Sequence, residues 1–369
     1  MLAVADLPAP QYRWISVSAR TGRRIASLPG LVCDSVGVVL GGEATASADL
    51  PLADRCPPNW EQAVREGGAC LVLVDSTDDN RPVWGGLVLK SQRDESDTVS
   101  LSLVTWEHLL DRVYVGDDSF ASTSQTQIVA DLVTHWRLDG SVPLVVEASA
   151  SSVLRDRTYL ASGDKSLAAV MGELMDVEDG PEFTVTWRHL TDLERFVPVL
   201  TIADRIGSVP PAGLAPAATF RLPGSVQSFT LSRSYARDEG ANVVTATSNP
   251  DPQSQTRPQS APAVYADPDR PVFEERFAPS TSITQQATLD AHALARLAVR
   301  QHGSSALALS ARTDTAPRLG RTWGVGDVVG YDIKAPSVPL GLKGTVRVLG
   351  WTLDIEAGLV TPVLGGLGG

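Results

Sequence analysis

The chain has 369 residues, 43 % of them hydrophobic and 20 % charged, with a net charge of −12 from 31 basic and 43 acidic side chains. That length exceeds what one small core organises and fits two or three domains, while the composition excludes wholesale disorder. The acidic balance argues against a protein that grips nucleic-acid phosphates, no apolar run approaches the roughly 18–20 residues of a membrane span, and the opening residues, with no basic side chain before Arg13, do not read as a signal peptide.

Strand-like text runs from Gln11 to about Val115. Tyr12, Trp14 and Val17 begin it, and residues 70–74 form an apolar run suited to a buried strand. Residues 83–89 and 98–104 predict a hairpin across the polar turn 92–97, with Val99, Leu101 and Leu103 on one face and Ser100 and Ser102 on the other. Between these strands, residues 59–67 predict a helix capped by Asn59 and stopped by Gly67. The period then changes. Ser124 and Gln127 have capping-box spacing ahead of Ile128, Val129, Leu132, Val133 and Trp136. A second helix, capped by Ser162 or Asp164, carries Leu167, Val170, Met171, Leu174 and Met175 on one stripe, and residues 182–187 and 195–202 follow as a hairpin.

A proline-rich connector covers 205–225, strands return at 229–232 and 242–247, and 249–269 reads as an extended proline-rich loop. A third helix is expected at about 284–302, ending at Gly303, before strands at 306–310, 327–333, 345–351 and 359–364. The final five residues, GGLGG, read as a flexible tail. Residues 346–364 repeat the strand, acidic turn, strand logic of 83–104, a weak internal echo.

A search for chemistry comes back empty. The three cysteines, Cys33, Cys56 and Cys70, are too few and too odd in number for a disulfide scaffold and read as reduced thiols in a chain folded in a cytoplasm. Of the five histidines (His108, His135, His189, His292, His302) none falls into a metal-binding spacing. Gly324, Gly326 and Gly330 precede a strand, not the helix N-terminus that phosphate binding needs. Ser162 and Lys165 have the SxxK spacing of penicillin-recognising serine enzymes, but residues 343–345 read KGT where those enzymes have KTG, and a helix cap explains the serine. Glu274 with Glu275, and Asp117 with Asp118, lie in polar contexts and read as solvated pairs. Arginines 20, 23 and 24 flank Gly22 in a turn, and the eight tryptophans are spread along the chain as core residues. No catalytic residue, metal ligand or cofactor is nominated, so the chain is expected to act through its surfaces.

The order of elements carries a resemblance. The stretch from Leu103 through Trp106 and His108 to Tyr114, the phrase 125–133, Arg157 and Tyr159, the helix 165–176 running into 182–187, residues 289–297, Val325 to Val328 and Val346 to Gly350 are similar in layout to the tail-tip hub proteins of long-tailed phages, also called minor tail proteins, and to the N-terminal part of tail-associated lysins. The resemblance implies a mainly β fold with α+β insertions: two tail-tube-like β-barrel domains plus a small α+β domain. On that basis residues 1–115 are the first β-barrel domain, 116–205 an α+β insert with two helices, 206–275 connector strands with the extended loop, and 276–369 a helix and the second β-barrel domain with its tail.

It further implies a homotrimer in the virion tail tip, assembled in the host cytoplasm. The trimeric ring would close the distal end of the tail tube and adapt sixfold to threefold symmetry. Its partners would be the distal tail or tail tube protein above, the tape measure protein's C-terminus in the lumen, and other minor tail or fibre proteins below. DNA would only pass through a net-negative channel, and no stable membrane insertion is expected. The hairpin 83–104 would lend a strand edge to a neighbour. Because the sequence ends soon after Leu364, wall-degrading activity is not expected in it. The alternatives are a tail-tip receptor- or carbohydrate-binding β-protein, a cell-wall hydrolase with dispersed catalytic residues, and a secretion-system spike component of similar fold.

Overall fold

A computed structural model describes residues 8–52, 55–136, 143–211, 213–248, 257–279 and 285–366. The chain divides into two compact units, one from Met1–Ser228 with Leu309–Val363 and one from Phe229–Ala308 with Leu364–Gly369. Taken as a whole the chain is mainly β, as the sequence predicts.

The first unit begins with β1 (Tyr12–Ser18), β2 (Arg24–Ser27), β3 (Ser35–Val39), β4 (Thr45–Pro51), α1 (Trp60–Ala63), β5 (Ala69–Asp75), β6 (Arg81–Arg93) and β7 (Thr98–Thr105). Six of these strands form a sheet in the order β2-β1-β5-β6-β7-β4. Every residue of β5 is buried, which explains its unbroken apolar run. In β7, Val99, Leu101 and Leu103 are buried while Ser100 and Ser102 are exposed, the alternation read from the sequence. The helix expected over 59–67 is four residues long: it starts after Asn59, whose side chain donates to Ile25 O at 3.2 Å and does not cap it, and it ends where Val64 leaves helical geometry at φ −121° and ψ 24°.

The hairpin 83–104 does not offer an edge as expected. Strand β6 lies between β5 and β7, and β7 between β6 and β4. Where β6 outruns β5, α1 and its loop cover it: Gly67 N donates to Val88 O at 2.8 Å, and Arg93 lies over the Trp60 ring and bonds Glu61 at 3.2 Å.

Next come β8 (Asp118–Ser124), α2 (Gln125–Trp136), β9 (Val145–Ala148), β10 (Leu154–Tyr159), α3 (Leu167–Met175), β11 (Glu182–Leu190) and β12 (Arg195–Ala203). The two helix stripes meet in one core, where Ile128, Leu132, Val133, Leu167, Val170, Met171 and Leu174 pack with Leu200 and Ile202 of β12. Neither expected N-cap forms. The Gln127 side chain turns to Asp131, Ser162 sits in a separate 3-10 turn, Ala161–Gly163, and Asp164 takes a left-handed φ of 48°. Ser166 caps α3, accepting from Ala169 N at 3.2 Å and donating to Asp111 Oδ1 at 2.7 Å.

The proline-rich connector contains a strand that periodicity missed, β13 (Thr219–Leu222), which pairs in parallel with residues 330–333. Beyond it lie β14 (Val226–Ser234), β15 (Val243–Ala246), β16 (Ala263–Val264), β17 (Glu274–Phe277), α4 (Gln286–Arg300), β18 (Ser304–Arg312), β19 (Val328–Ala335), β20 (Val338–Asp354) and β21 (Leu359–Leu364). The second large sheet is ordered β13-β19-β20-β21-β18-β14, and β3 leaves the N-terminal sheet to pair with β20. In the second unit α4 packs on the sheet β16-β15-β17 through Leu289, Ala293 and Leu297, and Gly303, at φ 78°, follows that helix. Part of the expected extended loop (249–256), residue 284, the expected start of the third helix, and part of the expected tail (367–369) lie outside the described residues.

Among the described residues both large sheets follow open paths instead of closing on themselves. The free side of β4 meets a single bridge, Val32 to Asp49, and the segment leading into β2 meets another, Arg23 to Arg195, so loops and the neighbouring sheet occupy the ends that closure would join. Replacing Ser166 with Ala is expected to lower stability by about 1 kcal/mol, the usual worth of an N-cap. Ser162→Ala should stay within about 0.5 kcal/mol. Urea denaturation midpoints compare the two, and a larger loss at Ser162 would contradict the cap assignment.

Candidate functional site

The residues that could suggest chemistry are dispersed, each with a local structural role. Ser162 is exposed, and Lys165 Nζ is paired with Glu173 Oε1 at 2.6 Å. Lys343 and Thr345 lie in β20, and the Gly324–Gly326 turn leads into β19. His108 Nδ1 meets Glu43 at 2.9 Å, His189 stacks on Phe196 at 4.3 Å, and His302 meets the Tyr265 ring edge-on at 5.2 Å. The acidic pairs are less solvated than the sequence implies. Glu275 is held by Arg296 at 2.7 Å and Arg300 at 3.5 Å with its side chain 12 % exposed, and Asp118 accepts from both His135 and the Trp136 indole, tying β8 to α2. Among the described residues, no three His, Cys, Asp or Glu side chains gather to hold a metal ion. The three cysteines are free, and burial pushes the Cys33 thiol up to about 11 and the Cys70 thiol up to about 12, which keeps both protonated and unreactive.

One place in the first unit does gather side chains. Four of the eight tryptophans, Trp84, Trp106, Trp187 and Trp351, line a cleft of about 410 Å³ between β6, β11, the 3-10 helix Trp106–Arg112, the segment 319–325 and β20. They are far apart in sequence and come together because β7 stops at Thr105, leaving the first part of β6 unpaired on the side where β11 approaches. The Trp84 indole donates to Gly37 O at 2.8 Å, and the Trp187 indole donates to Gly85 O at 3.1 Å. Gly85 is required here, since a Cβ on it would lie 2.4 Å from Trp187 Cε2.

The 3-10 helix sets Glu107 into this wall. Its Oε1 accepts from Val185 N at 3.2 Å, which occupies part of the edge of β11. Burial pushes its carboxyl from 4.5 up to about 7, against hydrogen bonds that favour the charged form. Glu107 Oε2, Thr184 Oγ1 and the Trp106 indole nitrogen are buried without a hydrogen-bond partner. Sequence reasoning placed these tryptophans in the core one by one. The convergence, and the buried carboxyl, depend on tertiary contacts across more than two hundred residues and left no local signal.

No protein-family model and no curated protein matches the chain. Solved structures do match its fold. The 43 kDa tail protein of prophage MuSo2 from Shewanella oneidensis is 12 % identical with a TM-score of 0.56, over 96 % of this chain and 98 % of that one. The tail protein from Neisseria meningitidis MC58 is 14 % identical with a TM-score of 0.51, over 96 % of each chain. A chain of the lidded Francisella PdpA-VgrG complex is 10 % identical with a TM-score of 0.54, over 97 % of this chain and 53 % of that one. The chain has the fold of phage tail proteins, in agreement with the resemblance read from its sequence.

The raised Glu107 carboxyl ties stability to pH. Between about pH 4.5 and 7 the folded chain keeps a proton that the unfolded chain has released, so this group's contribution falls as pH rises through that window and stays low above it. Glu107→Gln removes the term. Relative to the wild type, the variant is expected to gain about 3 kcal/mol between pH 4.5 and 8. Denaturation curves across that range check it, and parallel pH profiles for the two proteins would contradict it.

Proposed function

We propose that this chain is a structural component of a phage tail, the hub at the tail tip, and that it works through its surfaces and not by catalysis. The observation that carries this reading is a fold likeness to tail proteins that extends over nearly the whole of this chain and of each matched one. In this reading three copies form a ring that closes the distal end of the tail tube. Each copy supplies two large β-sheets, the one built on β1–β7 and the one built on β13–β21. Three copies therefore present six sheets, which suits a threefold ring docked under a sixfold tube. The contacts between copies are heterologous and close by rotation.

The partners follow from that position: a tube or distal tail protein above, the tape measure C-terminus in the lumen, and fibre or other minor tail proteins below. DNA passes through without being held, and the net charge of −12 supports a lumen that repels phosphates. The likeness to a chain of the PdpA-VgrG complex favours a second reading, in which the same hub serves a contractile secretion spike.

Light scattering with negative-stain imaging of the purified chain tests the ring directly. The expected result is a particle of three chains with a central hole. A protein that stays monomeric in solution and is present in tails at a copy number other than a multiple of three would contradict it.

A further inference from the structure

A second cavity of the first unit, about 370 Å³, opens between the start of β1, strand β2 and the tip of the β11–β12 hairpin. Ile15 pairs with Ser27 and Val17 with Arg24, so Arg13, Ile15, Arg24 and Ser27 share the face that meets Phe196. Ile15 and Phe196 form a buried floor, while Arg13 and Arg24 stand exposed in the wall with Glu194 as its one acid. Among the described residues the Arg13 guanidinium has no hydrogen bond or ion pair, and Arg24 bonds only the Ser27 hydroxyl.

The positive charge around this opening is uncompensated. Arg23, next to Arg24, and Arg195, next to Glu194, sit opposite each other across an antiparallel bridge. Like charges directly opposed destabilise a strand pair, and Arg195 Nε is buried without a hydrogen-bond partner. Elsewhere in the unit arginines lie against carboxylates: Arg321 with Asp78, Arg188 with Glu147, Arg347 with Glu182. In a chain of net charge −12, a group of arginines left without acids marks a surface that an anion from outside the unit completes.

The same unit carries the complementary surface. Asp94, Glu95 and Asp97 are all exposed in the β6–β7 turn, and among the described residues none of them forms an ion pair. The adjacent Arg93 is held by Glu61 and lies over Trp60. Another acidic run, Asp176, Glu178 and Asp179, already has a guanidinium against it, since Arg155 donates to Glu178 O at 2.7 Å. Placement then separates plug from socket. Asn80 of the cavity wall comes just before β6, and Asp94 just after it. The 13 residues of β6 span up to about 40 Å at roughly 3.3 Å each, so the turn does not reach the cavity of its own chain. Unlike surfaces at opposite ends of one strand suit a head-to-tail contact between copies.

We propose that the arginine-lined cavity receives the acidic β6–β7 turn of a second copy of this chain, Asp94, Glu95 and Asp97 meeting Arg13 and Arg24. The inference rests on the ring reading and names its contact. Sedimentation equilibrium on the intact chain tests it with three variants: Arg13→Glu with Arg24→Glu, Asp94→Lys with Glu95→Lys and Asp97→Lys, and all five together. The five positions are exposed, so unchanged thermal midpoints are expected and are checked alongside. Each swap alone should weaken association of the wild-type trimer by at least about a hundredfold, because like charges then meet, and the combined swap should restore it. The wild type needs no variant for a second readout. Raising salt from 0.1 to 1 M, which shortens the screening length from about 10 to about 3 Å, should shift the trimer toward monomer. A trimer indifferent to salt and to both single swaps overturns this contact and leaves the ring reading standing. Loss of the trimer in the arginine variant but not in the turn variant overturns it as well, since another acidic group then fills the cavity. So does a trimer untouched by the swaps while binding of a DNA oligonucleotide is lost with the arginines, which assigns the cavity to phosphates. A wild type that stays monomeric at every concentration overturns the contact too, and the ring reading is then decided by copy number in tails.

Discussion

The first unit depends on one strand changing sheets. The segment Ser35–Val39 lies in sequence between two strands of the N-terminal sheet, yet it pairs antiparallel with residues 350–354 near the other end of the chain. The approach is close enough to dictate residue type. A Cβ on Gly350 would lie 2.4 Å from Val38 O, and one on Gly37 would lie 2.9 Å from Trp351 O. Neither position accepts a side chain unless the two strands part. This pairing joins residues from the two ends of the chain in one compact unit, even though residues 229–308 intervene in sequence. Contacts of such sequence separation carry a loop-closure cost that local contacts do not.

The tryptophan-lined cleft inherits its shape from that pairing. Gly37 O receives the Trp84 indole, while Val38 and Trp351, on the paired strands, both belong to the lining. A second long-range link reinforces it, the ion pair between Arg347 of β20 and Glu182 of β11, in which Arg347 also donates to Ile206 O at 2.9 Å. Binding of both Glu182 oxygens by one guanidinium is the directional kind of ion pair, and it holds the carboxyl below the usual carboxylate range despite partial burial. The cleft is therefore a product of the unit as a whole and not of any one sheet.

Much of the secondary structure was legible because burial wrote it into the period. The alternation in β7, the all-buried β5 and the helix stripes over 128–133 and 167–174 each have a single core-facing solution. Helix starts were less legible. Ser162, Asp164 and Ser166 are all acceptable caps by type, and the choice fell to Ser166 because Asp111, from a distant 3-10 helix, fixes its hydroxyl. Strand β13 hid among prolines because its four residues are specified by the neighbouring β19, not by their own pattern. The edges of the hairpin 83–104 were misjudged for a related reason: β4 is remote in sequence from its partner β7, so nothing near residues 98–105 announces that they are covered. The cleft was the least legible feature, since its four tryptophans looked like ordinary core residues until strand order brought them together.

That the ends of the chain form one cooperative body is tested most directly by hydrogen exchange on a Gly350→Val variant. The account predicts that amides of residues 36–39 and 351–354 lose protection together, and that both the β1–β7 sheet and the β19–β21 strands exchange faster as a linked unit. If the variant folds and the N-terminal sheet keeps its full protection while only residues 350–354 open, the two ends are independent and the account is contradicted.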